Sequence, residues 1–469
     1  MKKIITILLA LLLLASCTNN SSTQTQTTTQ TDDVTNLIVL NGETASYEGK
    51  TIDEYDYSWH IDPSKEEPWY EGDEPGGDIY IAHDIIYYPS LNEDGFTKEV
   101  YDDETEYVYH YTAEGLEDYI FSTLPVLGDD LPTEMMHTAE EAYENKVLHI
   151  TKAGVYTLQG TWHGQILIDL GEDAFDDENA KVTLILNGVD ITCDVAAGIM
   201  FKNVYEVDNT WEDREEYDGT LNVGELETGA TVIIADDTTN NVTGANIYRL
   251  LKPTYKKEGS TVQKKYYKYD GAFYSCMSLN INGQEKGNGI LNITSTTFEG
   301  LDSELHLSIN GGEINIHSQD DGINVNEDDV SVFTMNGGRL NILAGLGAEG
   351  DGIDSNGYIT INDGTIYSIA SPYSDNGLDA DHDITINGGT VVALGSSMGG
   401  TYYTVYIDGE KQYNESNMNN MFGGMTKPDN MGDFDPNNMQ DFDFSQFDGQ
   451  TPPEKPDGDM NQRDMFKPN

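Results

Sequence analysis

The chain has 469 residues, 47 of them glycine, and a formal net charge of −59 at pH 7. That length accommodates two or three ordinary domains or one elongated one. Such an excess of acid leaves no basic patch to neutralise phosphates, which excludes nucleic acid as a partner. It also repels anionic polymers unless a cation bridges the like charges, so divalent metal is the first partner the composition suggests.

At the N-terminus, Lys2 and Lys3 precede an apolar run from Ile4 to Leu14, followed by Ala15-Ser16-Cys17. The run has the length of a signal-peptide core and is too short to span a bilayer. Leu14-Ala15-Ser16-Cys17 resembles the bacterial lipobox, which makes residues 1–17 a lipoprotein signal peptide and Cys17 the expected lipidation site. Each buried methylene of an acyl chain adds about 0.8 kcal/mol to anchoring. No later stretch is apolar and long enough to cross a membrane, so the remainder is expected outside the cytoplasm, membrane-anchored at the bacterial cell surface.

Residues 18–33 are Ser, Thr, Gln and Asn with little apolar content, and read as a flexible linker. Residues 34–140 form an acidic, tyrosine-dense N-terminal region with Trp59 and Trp69. Their rings either pack a small β-rich subdomain or stack on sugars. Residues 411–469 are low-complexity Asn, Met, Asp, Gly, Phe and Pro, the composition of a disordered tail. Between these lies 141–410, and its second half is periodic.

Asn310-Gly311-Gly312, Asn336-Gly337-Gly338, Asn362-Asp363-Gly364 and Asn387-Gly388-Gly389 recur at intervals of 26, 26 and 25 residues. Alternating apolar residues precede each turn, as in Leu305-x-Leu307-x-Ile309 and Ile359-x-Ile361, and follow it, as in Ile314-x-Ile316 and Leu340-x-Ile342. Period-two alternation bounded by Asn and Gly predicts strand, turn, strand. A third short strand begins at Gly300-Leu301-Asp302, Gly322-Ile323-Asn324, Gly352-Ile353-Asp354 and Gly377-Leu378-Asp379. Three strands in about 26 residues predict a solenoid in which each strand stacks on its counterpart one period later. Ser308, Thr334, Thr360 and Thr385 then align outward, and the turn asparagines align as a hydrogen-bonding ladder. The predicted fold is all-β, a parallel β-helix. Insertions near 203–220 and 246–272 interrupt the earlier coils.

Val147-Leu-His-Ile-Thr-Lys-Ala-Gly-Val-Tyr-Thr-Leu-Gln-Gly160, Lys181-Val-Thr-Leu-Ile-Leu-Asn-Gly-Val-Asp-Ile-Thr192 and the Asn-Gly-Gly coils resemble a bacterial family. It is the family of carbohydrate-binding-domain surface proteins with a polysaccharide-lyase-like, right-handed β-helix. The resemblance covers about 250 residues and alone supplies the handedness. It implies calcium binding and attachment to cellulose-like or pectin-like polysaccharide, without established lyase chemistry.

The third-strand column carries acids in register. Asp302, Asn324, Asp354 and Asp379 alternate with the inward Leu301, Ile323, Ile353 and Leu378. Glu299, Asp321 and Asp351 stand before the glycines, with Asp375 and Asp381 nearby. Carboxylates stacked about 5 Å apart repel by several kcal/mol at an effective dielectric of about 20, and Ca²⁺, which takes six to eight oxygens in flexible geometry, can offset that. These nine residues are the expected Ca²⁺ ligands. Asp379-x-Asp381-x-Asp383 lacks the glycine of an EF-hand loop, having Ile384 in its place. The coil period excludes a nonapeptide calcium roll.

A pectate-lyase-type enzyme is the alternative. It needs a base beside the cation, and Arg339 is the only Lys or Arg between 287 and 410, with His306, His317 and His382 as substitutes. A non-catalytic binding module is the favoured reading, with Tyr358, Tyr367 and Tyr373 as candidate sugar-stacking residues. A structural protein or adhesin contacting other proteins is the third class. Cys193 and Cys276 either pair or are separate buried thiols; their spacing decides neither.

Overall fold

The computed structural model describes residues 36–60, 69–72, 75–85, 96–101, 106–111, 143–208, 219–244, 251–256, 263–265, 269, 271–346, 350–370, 375–397 and 400–416. Cys17 with its signal segment, the 18–33 linker, Tyr373 and the tail beyond 416 lie outside the described residues.

Aliphatic residues at every second position give strands with one face apolar, and these strands pair in parallel ladders. One ladder joins Ala230–Ile234, Leu279–Gly283, Leu307–Ile309, Val332–Met335, Tyr358–Ile361 and Ile384–Ile386 in chain order. A second joins Thr239–Gly244, Ile290–Ser295, Glu313–His317, Arg339–Leu343, Thr365–Ile369 and Thr390–Ser397. The third joins Ile199–Asn203, Phe273–Ser275, Leu301–Ser303, Ile323–Val325 and Ile353–Ser355. Each strand pairs with its counterpart one repeat on. Among the described residues the helices are single short turns, such as Glu172–Asp176 and Val223–Glu225. The molecule is all-β, and its ladders are consistent with a parallel β-helix.

The core consists of stacked aliphatic columns. Leu291, Ile314, Leu340, Ile366 and Val391 align in the second ladder, and Ile281, Ile309, Met335 and Ile361 in the first; all are buried. Each such side chain contributes about 1.5–3 kcal/mol by leaving water. The third ladder approaches this core so closely that only glycine fits at its start. A Cβ on Gly322 would lie 2.2 Å from Ile342 Cγ2 and 2.5 Å from the Gly352 carbonyl.

The turn asparagines form a continuous amide ladder. Nδ2 of Asn310, Asn336, Asn362 and Asn387 donates to Oδ1 of the preceding turn asparagine at 2.7, 2.7, 2.8 and 2.9 Å, beginning from Asn282. The last glycine of each turn has positive φ, +84° at Gly312 and Gly338, which an L side chain rarely adopts. A second amide ladder runs along the second set of strands, from Asn241 through Asn292 and Asn315 to Asn341, at 2.8, 2.9 and 2.7 Å.

The sheet continues beyond 141–410 at both ends. Leu37–Gly42 pairs in parallel with Gly154–Asp169, and Ile79–Ala82 lies antiparallel to Lys146–Ile150. At the other end Gly400–Ile407 and Glu410–Ser416 add as antiparallel strands. Part of the tyrosine-dense region is thereby built into the main sheet. Tyr80 stacks on His149 with ring centroids 4.4 Å apart, and Tyr47 packs on Tyr156. Cys193 and Cys276 are free thiols, each pushed up to about 12 by burial.

Candidate metal centre

The outward column of the third ladder changes character along its length. Leu167, Met200 and Tyr274 occupy it first, followed by Asp302, Asn324 and Asp354. Residue 379 extends the column: its N–H donates to the Ile353 carbonyl at 2.8 Å, and its carbonyl accepts from Ser355 N–H at 3.2 Å. An apolar outer face thus gives way to an acidic one within a single ladder.

The acids are less exposed than an outward column suggests. Glu299 and Asp302 are buried, and Asn324 is only 6% exposed. Asp302 Oδ1 accepts from Asn326 Nδ2 at 2.7 Å. Asp375 Oδ2 accepts from Gly350 N–H at 2.8 Å, and Asp321 Oδ1 from Asp351 N–H at 2.6 Å. Asp381 is exposed beside Asp379.

Three of the nine expected ligands converge. Asp351, Asp354 and Asp379 each present a carboxylate oxygen, all within 4.8 Å of one another. Burial raises the Asp351 carboxyl to about 7, with Asp379, Asp354 and Asp375 adding repulsion against the backbone donor of Asn376. Burial, with repulsion from Asp320, Glu299 and Asp354, holds Asp321 well above the usual carboxylate range. Asp379 is raised by burial and by Asp381 and Asp375. Asn324 Oδ1, in register with Asp354, is buried without a hydrogen-bond partner among the described residues. Carboxylates and an orphaned amide oxygen form an all-oxygen donor set, which suits a hard cation such as Ca²⁺. The residues present fit the ion.

Of the candidate catalytic bases, one is sealed, two lie on another ladder, and His382, three residues from Asp379, is engaged by Asp329. His306 is fully buried; its Nδ1 accepts Val332 N–H at 3.1 Å, so Nε2–H donates to Asp208, 2.9 Å away. Asp208 and Glu206 are themselves buried, and Glu206 accepts the N–H groups of Asp208 and Ser278. This constellation at the rim of the 203–220 insertion was not legible from spacing, because it joins residues about a hundred positions apart. His317 and Arg339 lie on the second ladder, and the Arg339 guanidinium covers the Tyr367 ring at 4.9 Å. His382 bonds Asp329 at 2.9 Å and stacks on Tyr358.

Tyr367, expected to face outward for sugar stacking, is only 5% exposed. Arg339 fills the space over its ring, so it is packed into the sheet surface rather than presented to solvent. Tyr358 is half-buried, with Gly219 and His382 both packed on its ring.

Comparison with known proteins adds the following. A family model described as carbohydrate-binding domain-containing protein matches residues 144–218 and 215–420. A relative of that same description from Acetivibrio thermocellus is 28% identical over 168 residues, covering 36% of this chain and 43% of the relative. The match thus spans less than half of that relative's length. Among solved structures, the polysaccharide lyase-like protein from C. thermocellum, a gadolinium derivative, aligns with 55% of this chain and 86% of its own. Its identity is 24% and its TM-score 0.31.

Proposed function

The chain belongs to the family of carbohydrate-binding domain-containing proteins, and from that premise we propose that it is a calcium-dependent polysaccharide-binding protein held at the bacterial surface through Cys17. The reading takes the repeat as a right-handed coil of three strands. The observation that carries it is the convergence of Asp351, Asp354 and Asp379.

Asp351, Asp354 and Asp379, with the Asn324 amide oxygen, would hold the ion. Calcium bound there would neutralise the stacked carboxylates and give an anionic glycan a cation to bind, reconciling an acidic protein with a pectin-like ligand. The protein's own contribution is to fix those oxygens on a rigid ladder and to hold them partly desolvated. A purely binding role is favoured over a lyase because His306 is sealed in the interior and Arg339 is committed to Tyr367 on another ladder.

The test is thermal unfolding with calcium and with chelator. A ligand that binds only the folded state stabilises it by about 2.7 kcal/mol at a hundredfold excess over its dissociation constant. A rise in Tm with calcium, abolished by Asp354→Asn with Asp379→Asn, is expected. An unchanged Tm would overturn the metal assignment. Gel retardation by soluble polysaccharides in calcium tests the ligand, and retardation by none of them would overturn that part.

A further inference from the structure

A cavity of about 400 Å³ lies on a different face from the acidic column, against the outer side of the first ladder. Its floor is the aligned column of Thr334, Thr360 and Thr385, and Asn362 and Asn387 of the amide ladder border it. Its far wall is the segment 219–225, which follows the insertion near 203–220.

That segment is pinned across the ladder by the column it covers. Gly224 N–H donates to Ser308 Oγ at 3.0 Å, and Asn280 Nδ2 donates to the Val223 and Leu226 carbonyls at 3.1 and 3.2 Å. Asn222 and Asn336 exchange amide hydrogen bonds at 3.2 Å each. Gly219 rests on the Tyr358 ring, where a Cβ would come within 2.4 Å of Cγ and Cδ1. Asn280, Ser308 and Thr334 are consequently buried, while Thr360 remains accessible beyond them. The strap covers the start of the outward column and stands as a wall where the column emerges.

We propose that this preformed cavity is a second carbohydrate site, independent of calcium, that takes a neutral, hydroxyl-rich glycan. The inference rests on the family reading that the chain binds carbohydrate, and adds a location and a substrate class. The volume falls within the roughly 300–1,000 Å³ of small-molecule sites, which combine apolar walls with a few placed polar groups. Tyr358 and Leu221 supply the apolar walls. Thr360 and Thr385 offer hydroxyls repeated at the strand spacing of about 4.8 Å, and Asn387 adds an amide.

Charge selects the class. Glu225 and Asp383 line the cavity, and among its described lining residues none is basic. Two carboxylates repel a uronate but accept hydrogen bonds from sugar hydroxyls, and charge-assisted bonds of that kind are the stronger ones. An acidic glycan would therefore meet the chain at the cation centre and a neutral one at the strap.

The experiment uses the whole protein and a panel of soluble neutral glycans (β-glucan, xylan and mannan) with polygalacturonate beside them, each measured in calcium and in chelator. At least one neutral glycan is expected to bind equally in both conditions. Thr360→Trp, which fills the cavity, is expected to weaken it at least tenfold, and the isosteric Thr360→Val several-fold, with the calcium-induced Tm shift unchanged. Neutral binding that survives both substitutions, or that disappears with chelator, would overturn the proposal and leave the family reading standing. Absence of binding to every glycan by the unaltered protein would overturn both.

Discussion

The backbone N–H of Asp351 donates to the carboxylate of Asp321 one coil earlier, at 2.6 Å, while the Asp351 carboxylate accepts the N–H of Asn376 one coil later. Backbone donors favour the charged form, yet burial and the surrounding Asp379, Asp354 and Asp375 outweigh them and leave Asp351 at about 7. An unfolded Asp titrates near 3.9. Across that interval the calcium-free folded chain holds more protons than the unfolded one. The stability contributed by this carboxyl is therefore complete below about pH 4 and lost as pH rises to about 7. The Tm of chelated protein is expected to fall across that window, less steeply in Asp351→Asn. Saturating calcium, which requires deprotonated ligands, should hold it level or raise it. A chelated Tm that climbs with pH would contradict the assignment.

The second amide ladder predicts a structural cost at a residue outside both sites. Asn315 donates to Asn292 at 2.9 Å and accepts from Asn341 at 2.7 Å. Asn315→Ala strips a partner from half-buried Asn292 and from buried Asn341, and an unsatisfied buried group costs about 1–3 kcal/mol. Urea unfolding should show a loss of that order, and a loss below a few tenths would show that water replaces the amide.

Gly322 tests how closely the third ladder is packed. With Ile342 Cγ2 and the Gly352 carbonyl inside 2.6 Å of a Cβ, Gly322→Ala forces the backbone apart. Overpacking of this kind costs about 1–3 kcal/mol or more, so a clear drop in Tm is expected. Because the shift falls beside Asp321, weaker calcium stabilisation should accompany it.

His306→Gln separates structure from catalysis. Loss of a hydrogen bond to a buried charged group costs about 1.5–3 kcal/mol, and neutral His306 donates such a bond to Asp208. Chemical denaturation should show the loss, whereas polysaccharide affinity below the transition should not change. A specific loss of affinity in folded protein would instead assign His306 a role in binding.

The repeat was legible because parallel strands that stack one repeat on write their geometry in the sequence. Each repeat must present an aliphatic residue at the same inward position, an asparagine at the same turn and a glycine where strands crowd, so the columns stay in phase through 310, 336, 362 and 387. The second amide ladder is equally legible in Leu291-Asn-Ile, Ile314-Asn-Ile and Leu340-Asn-Ile. The register of the acids, Asp302 to Asn324 to Asp354, followed from the same phase.

Only the tertiary structure decided what lies over each column. Sequence phase separates inward from outward, but exposure depends on what crosses the outer face. Tyr367 is outward yet sealed by Arg339, and Ser308 is outward yet covered by the strap. The convergence of Asp351 and Asp354 with Asp379 of the next repeat, the burial of His306 on Asp208 and the cavity walled by residues 219–225 depend on how the side chains and a non-repeating segment settle. Periodicity reports a residue's own coil and its stacked neighbours; where an aperiodic insertion settles is fixed by packing and hydrogen bonds that no repeat encodes.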